Sequence, residues 1–186
     1  VETPMLQTVH GGAAARPFTT HMNAFDLDLY LRIAPELFLK RCLVGGIDRV
    51  FEINRDFRNE GVDATHSPEF TMLEAYQAYG DQQTIGALIR DLYLAAADAY
   101  GSRQIETDQG TIDLDGEWRW VSVYPAVSAK VGEPVTVDTP VETLRGYAAA
   151  HDIEVDPAWD KDKVFLELVA ELVEPDCIQP TFLCDY

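Results

Sequence analysis

Cations are scarce in this chain: 14 Lys and Arg stand against 32 Asp and Glu, for a formal charge of −18. Phosphate contacts need a basic face, so this balance weighs against non-specific nucleic-acid binding. It leaves RNA recognition to a local patch, another domain or a partner, and it suits a cationic small ligand. No run of about 18 apolar residues occurs, so the sequence predicts no membrane span. The opening VETPMLQTVHGGAAARPF lacks the basic start and apolar centre of a secretion signal. Cysteine is rare: Cys42, Cys177 and Cys184 form no C-x-x-C and leave an odd count. They read as reduced core thiols of a cytoplasmic protein rather than disulfide or metal-thiolate partners. No Ser-His-Asp, Cys-His or zinc spacing stands out. The stretch Gly11–Phe18 lacks the G-K-[ST] ending of a phosphate-binding loop and reads as a flexible turn. An internal repeat, a low-complexity tract and a Gly/Ser linker are all missing. So is an initiator methionine, which suggests a piece cut from something larger.

What is present is ordinary globular material, 47% hydrophobic and 25% charged over 186 residues, enough for one well-buried domain. Asp26–Ile33 alternates polar and apolar residues as a half-buried strand does. Pro35 and Glu36 then suit the first turn of a helix that Gly45 and Gly46 end. RVFEINRDF and EFTMLEAYQAY are both strand-like. The roughly ten residues between them make a hairpin loop longer than the usual two to five. Asp81–Tyr100 has helical spacing at Ile85, Leu88, Ile89, Leu92 and Ala96. A hairpin turning at Gln109-Gly110, a strand at WRWVSV and a short helix at YPAVSAKVG follow. Further helices are expected over Val141–His151 and Lys161–Val173, and a final strand in DCIQPTFLCDY. Hairpins precede helices without βαβ alternation, so the class is α+β with an antiparallel sheet. Residues 1–100 read as the core, 101–175 as an insertion or helical subdomain, and 176–186 as a return strand.

The candidate chemistry sits in FRNEGVDATHSPEF, between the two long strands. Arg58 and Glu60 are two apart and project to one face. Phe70, Met72, Glu74 and Tyr76 share one parity on the returning strand. A face with Arg, two Glu, Tyr and Phe is a poor core: it is either a solvent-exposed sheet surface or a polar pocket. His66 alone reads as a turn residue, and Phe70 alone as core.

These segments carry a resemblance. VETPMLQ, GGAAARPFTTHMNAFDLDLYLRIAPELFLKR, VFEINRDFRNEG and HSPEFTMLEAYQAY closely resemble the catalytic domain of class II lysyl-tRNA synthetases, nearly continuously from Val1 to Tyr79. The match resumes at IQPTFLCDY, and the middle is only loosely similar, most like actinobacterial versions. FRNEG…H.PEF looks like the family's motif 2, and VETP like the tail of motif 1, which helps form a dimer. APEL and FRNEG favour lysine over the related aspartyl and asparaginyl enzymes, which read SPQL and FRAE.

The resemblance implies a class II synthetase-like antiparallel sheet flanked by helices, and ATP-dependent activation of L-lysine followed by transfer to tRNA(Lys). Arg58 would contact the α-phosphate of ATP and the lysine carboxylate as the catalytic cation. Glu60 and His66 would hold the adenine end and a bent triphosphate, and Phe70 would stack under adenine. Gly12 and Ala13 would line the lysine pocket by backbone. Glu36 would take the α-ammonium, with Glu74 and Tyr76 near the side-chain end. No general base is needed, because the lysine carboxylate is itself the nucleophile.

The chain departs from the family at Thr65, where most members have arginine, and at Ser67, where asparagine is usual. Motif 3, the acidic ligand for Mg2+, the segment completing recognition of the ε-ammonium and an N-terminal OB-fold do not occur in it. On this reading the chain is half of a catalytic domain, poorly active or inactive alone. It would be either a trimmed synthetase or a truncated lysine-binding, dimerising remnant. A paralogue lysylating a lipid or protein is the other enzyme reading.

Overall fold

The computed structural model describes residues 1–186. The chain divides into two compact units, Val1–Asp81 and Gln82–Tyr186.

In the first unit β3 (Leu27–Leu31) lies between β1 (Leu6–Gln7) and β2 (Thr19–Met22), antiparallel to both. The expected strand at Asp26–Ile33 is β3; neither short neighbour has enough length to show a period in sequence. Helix α1 (Glu36–Val44) follows, with Pro35 at its N-cap, Glu36 in its first turn and Arg41 in its last. That charge order matches the helix dipole. Leu39 is fully buried where α1 packs on β4 (Arg49–Phe57) and β5 (Glu69–Gln77).

Strands β4 and β5 pair antiparallel along their whole length, from Arg49 opposite Gln77 to Phe57 opposite Glu69. Arg32, just past β3, links the hairpin to the first sheet: its N donates to Met5 O beside β1 at 2.8 Å, and its O accepts from Phe57 N at the end of β4 at 2.9 Å. The hairpin turns its polarity inside out. Glu52 and Asp56 are buried, while Phe51, Ile53 and Leu73 on the opposite parity are 59%, 57% and 46% exposed. The charged side chains go inward because an arginine from the neighbouring sheet is waiting there, as described below.

The second unit begins with α2 (Gln82–Tyr100), as its spacing predicts, but the helix is loosely covered: Leu92 and Tyr93 are exposed and only Gly86 and Ala97 are fully buried. A hairpin of β6 (Gln104–Thr107) and β7 (Gly110–Asp113) turns at the expected place. Strand β8 (Arg119–Ser122) pairs with β9 (Thr181–Cys184) in parallel, an arrangement beyond the antiparallel sheet expected from sequence. Helices α3 (Val123–Val131), α4 (Val141–Ala150) and α5 (Lys161–Leu172) enclose an aliphatic core around Val123, Val127, Leu144, Val164, Leu168 and Val169. Asp160 caps α5 by accepting from Lys163 N at 2.9 Å. No helix is long and apolar enough to cross a membrane.

Candidate nucleotide and amino-acid site

The loop after β4 doubles back so that Arg58 N donates to Pro68 O at 2.9 Å, extending the hairpin ladder past the last strand residue. Arg58 Nε donates to Ile33 O at 3.4 Å, and its guanidinium lies 5.2 Å from the centre of the Phe70 ring. Phe70 in turn sits opposite Asp56 in the ladder. Glu60 lies beyond the strand and accepts from Arg16 N at 3.0 Å, tying the loop to the N-terminal segment. Asn59 N donates to Arg16 O at 2.8 Å beside it. Arg58, Glu60, His66 and Phe70 thus line one pocket of about 430 Å³, with Ala14, Ala15, Gly61, Thr65 and Ser67 as its other walls. A cation over an aromatic face, in one pocket with an imidazole, suits a planar base with a phosphate tail.

A second group forms where α1 meets the hairpin. Tyr76 Oη donates to Glu74 Oε2 at 3.0 Å. Glu36, half-buried in the first turn of α1, accepts from Lys40 Nζ at 2.6 Å. Gly12 adopts φ +91°, and a Cβ there would lie 2.9 Å from Glu36 Cβ and 3.3 Å from Ala34 Cβ. A residue with a side chain would be both strained and crowded there, so the backbone can come up against Glu36 only as glycine. Ala13 lies exposed in the same bend. Burial pushes the Glu74 carboxyl above its ordinary range; the negative charges of Asp56 and Glu36 add to this, against the Tyr76 bond and Arg32. Burial, and then the bond to Glu74, likewise raise Tyr76, which stays a phenol. This corner is short of one cation.

Sequence reasoning missed what lies beneath both groups. Arg32, fully buried, donates from Nη1 to Glu52 Oε1 at 2.7 Å and to Thr3 Oγ1 at 3.0 Å, and from Nε to Arg55 O at 2.8 Å. Its Nε is also 3.0 Å from Asp56 Oδ1. Glu52 further accepts from Thr3 N at 3.1 Å, Thr3 Oγ1 at 2.6 Å and Asn54 Nδ2 at 3.1 Å. Burial raises the Glu52 carboxyl, but the bonds from Thr3, Arg32 and Asn54 outweigh it and hold it at about 2. Asp56 has only this contact with Arg32 Nε and no well-aligned donor on either oxygen, and burial pushes its carboxyl up despite Arg32 and Arg58. Glu52, Asn54 and Asp56 share parity with Arg58, so carrying the strand period back from Arg58 would have found them. No three His, Cys, Asp or Glu side chains converge so as to hold a metal ion, and no step here is assigned to magnesium.

Comparison with known proteins places the chain in a class. The family model of class II tRNA synthetases (D, K and N) matches residues 1–186, and the chain belongs to that family. Within it, the chain is 56% identical over 189 residues to the lysine–tRNA ligase of Kineococcus radiotolerans, covering 100% of this chain and 38% of that protein. It is 52% identical over 194 residues to the lysine–tRNA ligase of Mycobacterium bovis BCG, with the same 100% and 38% coverage. It is also 48% identical over 192 residues to the lysylphosphatidylglycerol biosynthesis bifunctional protein LysX of Mycobacterium marinum, spanning 17% of its length. The chain therefore spans well under half the length of the curated relatives it matches.

Proposed function

We propose that this chain supplies the motif 2 half of a lysine–tRNA ligase site. The intact gene product would activate L-lysine with ATP, pass it to tRNA(Lys) as a cytoplasmic homodimer, and use Mg2+ held by residues outside this chain. The observation that carries the reading is the single acidic corner, Glu36, Glu74 and Tyr76, adjoining a pocket lined by Arg58 and Phe70. An ammonium supplies the cation that corner lacks.

In the proposed reaction a lysine carboxylate oxygen bonds to the α-phosphorus of ATP. The bond from that phosphorus to the bridging oxygen breaks, and pyrophosphate leaves with the electron pair. Arg58 neutralises charge that accumulates on the α-phosphate, which is electrostatic stabilisation of an in-line displacement. Its stacking on Phe70 and its bond to Ile33 O hold it in place before ATP arrives. Glu60 fixes the pocket wall through Arg16, His66 meets the phosphate tail, and Glu36 and Glu74 take lysine ammonium groups.

Lysine-dependent exchange of pyrophosphate into ATP by the intact gene product is the expected result, and its absence sinks the proposal. Glu74→Gln should weaken lysine binding by about 2 kcal/mol, roughly 30-fold, and ATP binding far less. Equal losses would contradict the pocket assignment. The similarity to LysX supports a second reading, in which the same lysyl-adenylate is delivered to a lipid. Supplying tRNA or phosphatidylglycerol as acceptor and following labelled lysine separates the two.

A further inference from the structure

The end of β4 is fastened to residues 32 and 33 by bonds at Arg55, Phe57 and Arg58. Arg32 Nε donates to Arg55 O at 2.8 Å, Phe57 N donates to Arg32 O at 2.9 Å, and Arg58 Nε donates to Ile33 O at 3.4 Å. The first two hold the strand up to the residue before Arg58. The third is long for a hydrogen bond, so it orders a flexible side chain only where Ile33 O itself stays still. Ile33 is fully buried, and its neighbour Arg32 decides where it sits.

Arg32 is gripped from its far side as well. Its N donates to Met5 O at 2.8 Å. Its Nη1 donates to Glu52 Oε1 at 2.7 Å, to Thr3 Oγ1 at 3.0 Å and to Thr3 O at 3.3 Å. Thr3 Oγ1 closes the ring by donating to Glu52 Oε2 at 2.6 Å. The Arg32–Glu52 pair has no exposed side-chain surface, so water does not compete for these bonds. A planar fork is needed here, since Nε faces β4 while Nη1 faces the N-terminal segment; an ammonium is a single point and cannot hold both. A buried ion pair is weak evidence for stability, because apolar replacements of such pairs are often neutral. Stability alone therefore does not account for a guanidinium at this position.

The consequence falls on Arg58. Its Nε is committed to Ile33 O and its flat face to Phe70, which leaves the Nη fork for the pocket that it lines. A fork meets two oxygens at once only when its plane is set, and the place of Ile33 O sets it. We propose that Arg32 is a positioning residue for Arg58: by joining Thr3 and Glu52 to the end of β4, it fixes the Ile33 carbonyl and with it the plane of the Arg58 guanidinium. The inference rests on the ligase reading, in which Arg58 meets the α-phosphate and the lysine carboxylate.

The test uses the intact gene product and Arg32→Lys, which keeps a cation for Glu52 and Asp56 but cannot hold Glu52 and Arg55 O together. In lysine-dependent pyrophosphate exchange, counted per active site, kcat should fall roughly tenfold to a hundredfold. KM for lysine and for ATP should change by less than about threefold. The second readout is calorimetric binding of the sulfamoyl analogue of lysyl-adenylate in a double-mutant cycle with Arg58→Ala. Arg32→Lys should weaken that binding roughly tenfold when Arg58 is present and less than about twofold when it is absent, because its effect passes through the guanidinium. Equal losses in both backgrounds, or a raised KM with kcat unchanged, overturn the proposal and leave Arg32 a structural residue. Should Arg32→Lys not fold, Thr3→Val decides, since it keeps the shape of Thr3 and removes the hydroxyl between Arg32 and Glu52. There kcat should fall roughly twofold to fivefold and return with Thr3→Ser; one kcat for all three proteins overturns the proposal. If the unaltered protein exchanges no pyrophosphate, the ligase reading itself fails and takes the positioning role with it.

Discussion

Arg32 is shared by two buried carboxylates that should respond to mutation in opposite directions. Glu52 is fully hydrogen-bonded, and its carboxyl lies at about 2 rather than 4.5. A depressed carboxyl stabilises the fold above its unfolded value, here above pH 4.5, and that contribution disappears as pH falls toward 2. The difference corresponds to on the order of 3 kcal/mol, the size expected when one partner of a buried ion pair is removed. Glu52→Gln should therefore lower stability by about 3 kcal/mol at pH 7 in chemical denaturation, and should flatten the loss between pH 4.5 and 2. Asp56 is raised instead, so its ionisation opposes folding at neutral pH: the cost is absent below the unfolded value, grows as pH rises from there to the folded value, and is complete above it. Asp56→Asn should leave the midpoint unchanged or higher. A large loss from Asp56→Asn, or none from Glu52→Gln, would contradict this division of roles.

At the scale of elements, the features readable in sequence were those with a strong local signal. The period of β4 and β5, the long loop between them, the Pro35 and Gly45 boundaries of α1 and the turn at Gln109-Gly110 all lie where residue type alone puts them. The parity of Phe70, Glu74 and Tyr76 was legible for the same reason. What was not legible depends on long-range partners. Arg32 lies only three positions before Pro35, yet its significance comes from Glu52 and Asp56 on another element. The parallel pairing of β8 with β9 joins segments about 60 residues apart. Helix α2 illustrates a further limit, since its spacing predicts the apolar stripe but not which position is pressed tightest. A methyl group at Gly86 would lie 2.5 Å from the Trp120 ring, and that ring is stacked on Phe182 with centroids 4.5 Å apart. Gly86→Ala should gain about 1 kcal/mol of helix propensity. The overlap should cost roughly 1–3 kcal/mol, because a stacked indole cannot step aside. The net expectation is a lower unfolding midpoint, and a higher one would mean that the Trp120–Phe182 stack yields easily.

Across the whole molecule, charge and candidate chemistry are distributed unequally. Every residue assigned to the site, from Gly12 to Tyr76, lies in Val1–Asp81, whereas Gln82–Tyr186 holds 20 of the acidic residues against 7 basic ones. A surface so rich in carboxylates repels a phosphate backbone, so a nucleic-acid acceptor is not expected to be held by the second unit. The same division makes the response to small ligands local. Ligands that bind only the folded site stabilise it by mass action, about 2.7 kcal/mol at a free concentration a hundred times the dissociation constant. Where opening is local rather than global, only the segments that must open to release the ligand gain protection. With lysine, ATP and magnesium present, amide exchange should slow in β4, β5, the 58–68 loop and the start of α1. The aliphatic core of α3, α4 and α5 should exchange as before. Lysine alone should protect β5 and the start of α1 around Glu36 more than the loop, and ATP alone should do the reverse. Uniform protection across both units, or protection confined to the second, would contradict the placement of both ligands against the β4–β5 hairpin.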